Sequence, residues 1–321
     1  MGAGHAHGHD HGHSHGATAD SDKRLLAGAL ALIVVFMLGE VVVGFISGSL
    51  ALLSDAAHML TDAAAIALAL WAIRLAARPA AGRMTFGWKR VEILSAMANG
   101  ATLLVLAAWL TFEAVERLLN PPEVTGGLVL ITALIGVVVN LIATLMISRA
   151  NRTSLNVEGA FQHILNDLYG FIATAVAGAI IMVTGFVQAD VIATMIVVVL
   201  MVKAGVGLVR ASSRIFLEAA PENLDPTTIG AAMAAREHVV EVHDLHIWEI
   251  TSGSPALSAH VLVEPGQDCH AAREDLAGFL AHEYHIDHAT LQVDHAQPGV
   301  IGLGRAAASH CEQAHGPAHI G

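Results

Sequence analysis

Two short phrases place an imidazole and a carboxylate together inside long apolar runs, His-Met-Leu-Thr-Asp at 58–62 and His-Ile-Leu-Asn-Asp at 163–167. Four residues separate the two side chains in each phrase, so on an α-helix they lie on one face about one turn apart. An ionisable side chain in a lipid-spanning helix is costly, and it should therefore face a partner or a polar cavity. His58, Asp62, His163 and Asp167 could together supply two nitrogen and two oxygen ligands, a set that suits tetrahedral zinc. The phrases predict a metal pathway through a membrane.

A purely structural interpretation is the alternative: each pair could be a polar contact that only holds a helix bundle together. Repetition of the same pair in two separate apolar runs favours metal binding. Asp55 precedes His58 by three residues and shares its helical face, so it could orient an imidazole or be a structural polar residue. Glu40 and Asn140 also have two interpretations: they could line a polar pore, or they could be packing and hydrogen-bonding partners.

The composition indicates a membrane protein. The chain has 321 residues, of which 55% are hydrophobic and only 14% charged, whereas a soluble protein carries about a quarter charged residues. No basic patch with interleaved aromatics accompanies the net charge of −12, so we expect no nucleic-acid partner. Two cysteines, Cys269 and Cys311, are too few for a disulfide framework. The polar N-terminus is unlike a cleavable signal peptide.

Six apolar stretches are long enough to cross a bilayer, which takes about 20 residues. They cover residues 25–46, 50–75, 93–112, 127–147, 160–187 and 189–209. Basic residues cluster at one end of these stretches: Lys23, Arg24, Arg74, Arg78, Arg83, Lys89, Arg90, Arg149, Arg152, Arg210 and Arg214. Only Arg117 approaches the other surface, and the stem of Lys203 can reach the basic side. The distribution predicts that both termini lie in the cytoplasm. We expect the membrane to be a bacterial inner (plasma) membrane.

The chain after residue 214 predicts a small α+β domain. Asp225 before Pro226 is typical of a helix N-cap followed by the first helical position. A helix over 226–237, strands over 239–250 and 256–263, a helix over 268–284 and a strand over 289–294 follow in the order α-β-β-α-β. We therefore predict four regions: a disordered His-rich segment at 1–22, a six-helix transmembrane bundle at 23–213, the α+β domain at 214–298 and a disordered His-containing tail at 299–321.

Further histidines lie outside the apolar runs. Six of them alternate with other residues between His5 and His15, a density that favours loose capture of divalent metal. In the α+β region, His243 falls on the first predicted strand, His260 on the second and Asp294 on the third. From the residues alone, these three groups could form a metal site or be structural.

Four phrases carry a resemblance to the cation diffusion facilitators, a family of six-helix zinc and cobalt transporters: Leu-Ser-Asp-Ala-Ala-His-Met-Leu-Thr-Asp at 53–62, Thr-Phe-Gly-Trp-Lys-Arg-Val-Glu-Ile-Leu at 85–94, the phrase at 163–167, and Val-His-Asp-Leu-His-Ile-Trp at 242–248. The resemblance covers nearly the whole chain. It implies a homodimer, a ferredoxin-like cytoplasmic domain, and exchange of cytoplasmic metal for protons. By position, it implies His58, Asp62, His163 and Asp167 as the transport ligands.

The same resemblance implies a cytoplasmic zinc site at the dimer interface, formed by His243, His260 and Asp294 with His270 as a further candidate. Some relatives add a C-terminal cysteine pair to this region, but only Cys311 remains here. Other relatives bind metal in the loop between helices 2 and 3, where this chain has Trp-Lys-Arg at 88–90, and we predict no site there.

These observations predict a transporter rather than an enzyme, which exports a divalent metal by proton antiport with alternating access. Zinc is the first-choice substrate and also the expected ion of the cytoplasmic site, with cadmium or cobalt as further substrates. Zinc binds neutral imidazole and ionised carboxylate, so metal loading releases protons and protonation releases metal. A membrane-anchored metal sensor would not need the intramembrane pairs. A membrane metallohydrolase would need a water-activating base beside the metal and a substrate cleft, and neither motif is visible in the sequence.

Overall fold

The computed structural model describes residues 15–47, 50–119, 126–186, 188–296 and 316–321. The helices in these ranges are α1 (His15–Ser47), α2 (Leu50–Ala76), α3 (Val91–Leu119), α4 (Gly126–Ile147), α5 (Leu155–Thr184), α6 (Gln188–Phe216), α7 (Pro226–Ala234) and α8 (Cys269–Tyr284). The strands are β1 (Val239–Thr251), β2 (Ser254–Val263), β3 (His288–His295) and β4 (His319–Ile320). The chain divides into two compact units. One comprises the described residues up to Arg78 with Ser95–Leu208, and the other comprises Pro79–Leu94 with the described residues of Val209–Gly321.

The first unit is a helix bundle with two clusters of buried apolar side chains. One cluster lies among α1, α2, α4 and α5 and includes Leu26, Met59 and Ile164. The other joins α3 to α6 through Leu103 and Met201. Side chains on the outer faces are large, apolar and exposed, which suits helices that are solvated by lipid rather than by water.

Five of these helices are long and apolar enough to span a membrane, and α4 contributes a shorter apolar segment at Ala133–Ile147 among the residues described. The prediction of a six-helix bundle is confirmed. Several helices extend beyond the predicted apolar stretches, most clearly at the start of α1 and at the ends of α3 and α6, whereas α5 ends at Thr184, short of the predicted 187. Apolarity predicts only the part of a helix in hydrocarbon, whereas α3 continues through the Glu113–Arg117 pair, which is spaced by one turn.

The second unit has the predicted α-β-β-α-β order. β1 and β2 are antiparallel, β2 and β3 are parallel, and helices α7 and α8 cover one face of the sheet through a shared apolar core. α7 begins as predicted: Asp225 accepts hydrogen bonds from the Thr228 hydroxyl and amide, and these bonds lower the pKa of its carboxyl. The α+β prediction is confirmed, and the fold is the ferredoxin-like domain that the family resemblance implies.

Two predicted boundaries need correction. The segment 1–22 was predicted to be disordered, but α1 begins at His15, and the buried Asp22 accepts a hydrogen bond from the Asn151 amide after α4. The tail at 299–321 was also predicted to be disordered, but its last residues add β4 antiparallel to β1, so the sheet order is β3-β2-β1-β4. The histidines at 5–13, together with His310 and Cys311, lie outside the described residues.

Candidate metal site

The site begins with a contact between α2 and α5 in the first unit. Nε2 of His163 on α5 lies 3.0 Å from Oδ1 of Asp62 on α2. Both side chains are buried, with exposures of 0% for His163 and 3% for Asp62. The two predicted phrases therefore meet across two helices, as a shared ion requires.

Asp167 completes a cluster of three. One ligand atom each from Asp62, His163 and Asp167 lies within 4.8 Å of the other two. Two ligands of one tetrahedral zinc ion stand about 3.4 Å apart, because each bond is about 2.0–2.2 Å long. The His163–Asp62 pair, at 3.0 Å, is already close to that separation, and atoms as far apart as 4.8 Å would have to approach by about 1.4 Å.

Two atoms of the cluster are buried without a hydrogen-bond partner among the described residues, Nδ1 of His163 and Oδ2 of Asp167. A buried polar atom that makes no hydrogen bond costs free energy in an apolar surrounding. A cation bound among two carboxylates and an imidazole would offset that cost for both helices. The cluster therefore has the chemistry of a divalent metal site.

The fourth predicted ligand, His58, lies on α2 one turn before Asp62. By helical spacing its backbone position shares the face of Asp62, which meets α5. The side chains of His58 and Asp55 are not among those that the structure describes. Three of the four predicted ligands are thus brought together, and His58 stays a prediction.

A buried amide that the sequence interpretation missed links the same two helices. The Nδ2 group of Asn156, two turns before His163, donates a hydrogen bond of 2.9 Å to the carbonyl of Ala69, two turns after Asp62. The two contacts fix α2 and α5 as antiparallel neighbours in one register. The signal in the sequence was present, because Asn156 shares the helix stripe of His163, but an asparagine alone does not distinguish a link between helices from a local bond.

Glu40 and Asn140, the other two polar residues that the sequence analysis singles out in the apolar helices, are not part of this cluster of three. Glu40 on α1 is buried, with 5% exposure. Asn140 on α4 donates to Gly136 O of its own helix, which is a packing arrangement rather than a ligand cluster.

In the second unit, His243 and His260 are cross-strand partners on β1 and β2. Their ring centroids are 5.5 Å apart and the planes are nearly perpendicular, at 87°. Nδ1 of His243 lies 3.1 Å from a carboxylate oxygen of Glu241. These two predicted ligands are adjacent, with an acidic neighbour.

The remaining two predicted ligands are placed differently. Asp294 is on the neighbouring strand β3, opposite Leu262, and accepts a hydrogen bond from Gln292. His270 is exposed near the start of α8, on the helix-covered side of the sheet. Within the described residues of one chain, the only cluster of three ligands is the one on α2 and α5. A cytoplasmic site would need further ligands or a second chain.

The loop between α2 and α3 belongs to the second unit and is tied there by polar contacts. Arg90 lies 3.2 Å from Glu218, and Thr251 donates to the Lys89 carbonyl. Phe86 meets His288 edge to face, with ring centroids 5.9 Å apart.

Comparison with known proteins yields matches to both units. The profile of the cation efflux transmembrane domain matches residues 26–217, and that of the cation efflux cytoplasmic domain matches residues 221–296. A cadmium, cobalt and zinc/H(+)-K(+) antiporter of Bacillus subtilis is 38% identical over 85% of this chain and 89% of the relative. The metal cation efflux system protein CzcD of Cupriavidus metallidurans is 37% identical, covering 92% and 90%. The zinc transporter ZitB of Escherichia coli is 37% identical, covering 86% and 88%.

Proposed function

This chain belongs to the cation efflux family of membrane transporters, and we propose that it exports zinc from the cytoplasm in exchange for protons, with cadmium and cobalt as further substrates. It is a divalent metal efflux transporter and not an enzyme. The observation that carries the proposal is the buried cluster of Asp62, His163 and Asp167 on two apolar helices. The names of the relatives, which specify zinc, cadmium and cobalt, support the choice of metals.

The proposed transport site has four ligands, His58, Asp62, His163 and Asp167. Two imidazoles and two carboxylates suit zinc, and borderline metals such as cobalt and cadmium accept the same donors. An all-oxygen set would favour harder cations such as manganese. The nitrogen ligands therefore set the metal class.

Proton exchange follows from the ligand chemistry. Nε2 of His163 is 3.0 Å from Oδ1 of Asp62, a distance at which a proton carried by either group is shared in a hydrogen bond. Zinc needs the lone pair of a neutral imidazole and an ionised carboxylate, and it displaces that proton when it binds. Opening the site alternately to the two sides of the membrane then couples outward metal to inward protons.

The second unit is proposed to be cytoplasmic and to join two copies of the chain. The match of residues 221–296 to the cytoplasmic domain of cation efflux proteins supports this placement. His243 and His260 would bind a zinc ion together with Asp294, and ligands such as His270 would come from the same chain or from a second copy. Metal that bridges two chains there would favour one packing of the dimer and tune transport by a population shift.

Sealed liposomes with the purified protein test the transport proposal. Zinc added on one side should enter and drive protons out. The isosteric change Asp167→Asn should lower this exchange by more than about 100-fold, because even outer-shell changes at metal sites cost 10–100-fold. Tyr169→Phe is the matched control, since Tyr169 is on the same helix but 40% exposed.

Two outcomes would contradict the proposal. Full zinc/proton exchange by the double variant Asp62→Asn, Asp167→Asn would rule out the site. Zinc binding without any proton counterflow in the wild-type protein would favour a sensor over a transporter.

A further inference from the structure

Cys269 and His295 belong to neither proposed zinc site, yet they meet in the second unit. Cys269 is the first residue of α8, and His295 is the last residue of β3. The Sγ atom of Cys269 lies 3.6 Å from Nε2 of His295, and the same nitrogen lies 2.8 Å from the carbonyl oxygen of Gln267. The imidazole at the end of β3 thus contacts both the thiol at the start of α8 and a backbone carbonyl two residues before it.

The distance between sulfur and nitrogen matches that of two ligands on one ion. Bonds of about 2.3 Å to sulfur and 2.0–2.1 Å to nitrogen at a tetrahedral angle put the two ligand atoms about 3.6 Å apart. The thiol and the imidazole stand at 3.6 Å without any rearrangement of the backbone. The carbonyl of Gln267 lies closer to the ring than a tetrahedral arrangement requires, so the oxygen would have to withdraw by a few tenths of an ångström.

Both elements are held firmly at this point. Asp268 is the N-cap of α8, and its carboxylate accepts hydrogen bonds from the amides of His270 and Ala271. The Ala296 amide donates to the Val263 carbonyl and fixes the end of β3 beside β2. The ligand atoms are therefore presented by ordered backbone.

The point lies on the opposite side of the sheet from His243 and His260. Along β3, Leu291 and Val293 pack into the core beneath α7 and α8, and His295 continues that alternation. Gln292 and Asp294 alternate to the other face, where Gln292 is the register partner of His260. A metal at Cys269 and His295 would thus be separate from the proposed dimer site.

We propose that Cys269, His295 and the Gln267 carbonyl form a site for one soft or borderline divalent cation, cadmium or zinc, within a single chain. On binding, the thiol releases its proton to solvent and its sulfur bonds to the metal. The imidazole proton moves from Nε2 to Nδ1, which frees the Nε2 lone pair for the second bond, and water completes the coordination. Thiolate selects cadmium and zinc over magnesium and manganese.

The ion would connect the start of α8 to the end of β3. Because it binds the folded unit and not the separated elements, it stabilises their contact by a free energy that rises with the logarithm of the metal concentration above the dissociation constant. The second unit would thereby respond to cytosolic metal without requiring a second chain.

Thiol alkylation in the full-length protein tests the proposal. In a Cys311→Ser background, Cys269 is the only thiol. Buffered free cadmium or zinc should slow its alkylation by N-ethylmaleimide by about tenfold when the metal is at ~10 times its dissociation constant, since only the free thiol reacts. Magnesium should give no protection, and His295→Ala should abolish the protection by cadmium.

Three matched variants make the result specific. His288→Ala removes an exposed histidine at the other end of the same strand and should retain full protection. His243→Ala should also retain it, which separates this site from the sheet-face site, and Asp167→Asn should retain it even if transport is lost. The ultraviolet sulfur-to-cadmium charge-transfer band should disappear in Cys269→Ser. Equal protection in His295→Ala, or none in the parent protein, would overturn the proposal and leave a simple thiol–imidazole hydrogen bond.

Discussion

His163 has no exposed surface, and its two ring nitrogens have different surroundings. One is 3.0 Å from the Asp62 carboxylate, and the other has no hydrogen-bond partner among the described residues. A purely structural histidine in a bundle would be expected to satisfy both nitrogens. The orphaned nitrogen, with a similarly orphaned oxygen on Asp167 one turn away, favours a ligand role over a packing role.

The nitrogen ligand should control which metal is carried. Replacing it by oxygen in His163→Asp should weaken zinc and cadmium transport by roughly tenfold or more while manganese is affected less, because carboxylates suit harder cations. Competition between zinc and manganese in liposomes measures the ratio. A parallel loss for all metals would mean that His163 acts only in folding or gating.

Asn156 should act on the site through the helix register. Asn156→Ala removes the bond to the Ala69 carbonyl, and we expect a loss of about 1 kcal/mol of stability, the net worth of one hydrogen bond, with weaker zinc affinity but unchanged metal preference. Thr102→Ala is the control, because the Thr102 hydroxyl donates a solvent-exposed hydrogen bond to Ala98 O of its own helix. Isothermal titration calorimetry measures the zinc affinity, and thermal unfolding in detergent measures the stability. Unchanged zinc affinity would contradict the positioning role.

Among the elements, α3 and α6 approach closely at a glycine. A methyl group on Gly205 would lie 2.9 Å from both the Gly100 carbonyl oxygen and Leu104 Cγ, whereas one on Gly207 would meet nothing within 4 Å. Gly205→Ala should separate the helices and cost about 1–3 kcal/mol. Gly207→Ala should be neutral or add about 0.5–1 kcal/mol through helix propensity. Thermal midpoints of the two variants in detergent measure the difference, and equal midpoints would refute the close packing of α3 and α6.

The contact between β4 and α7 can be tested with a second pair of matched glycines, one on α7 and one on α8. A methyl group on Gly230 of α7 would overlap the His319 ring, while one on Gly278 of α8 would meet nothing within 4 Å. Gly230→Ala should therefore loosen β4 and raise hydrogen exchange of the Gly321 amide, which bonds to the Val240 carbonyl. About fivefold is expected if one hydrogen bond worth ~1 kcal/mol is lost. Gly278→Ala should leave this exchange unchanged, and equal exchange in the two variants would contradict the fit of His319 against Gly230.

The elements also show what patterns in the sequence can and cannot predict. The cap at Asp225 and the alternation in β3 come from local residue types, so both were predictable. β4 was not, because two residues in a Gly/His/Ala-rich tail carry no periodicity and the strand is stabilised by its pairing with β1. The same limit applied to the site: repeated spacing predicted Asp62, His163 and Asp167, whereas the role of Asn156 depends on which carbonyl lies opposite.

For the whole molecule, we propose that the two units have different functions: the apolar helices hold the transport site, and the α+β domain holds sites that respond to metal. The first requires protonatable ligands away from bulk water, and the second requires contact with cytosolic metal. Both would operate only if the second unit and the basic loops share the cytoplasmic side. The orientation of the chain is therefore the premise on which both functions depend.

Thiol accessibility in intact cells tests that orientation. With Cys311→Ser, the remaining Cys269 should resist a membrane-impermeant maleimide until the membrane is permeabilised, because the basic residues at one end of the spans predict a cytoplasmic second unit. The matched reporter is Leu119→Cys in a cysteine-free background, at the opposite end of α3 from the basic loop and 73% exposed. It should react in intact cells at the rate of an exposed thiol. Reaction of Cys269 in intact cells together with protection of the residue at 119 would invert the topology, and metal captured at Cys269 would then come from outside the cytoplasm.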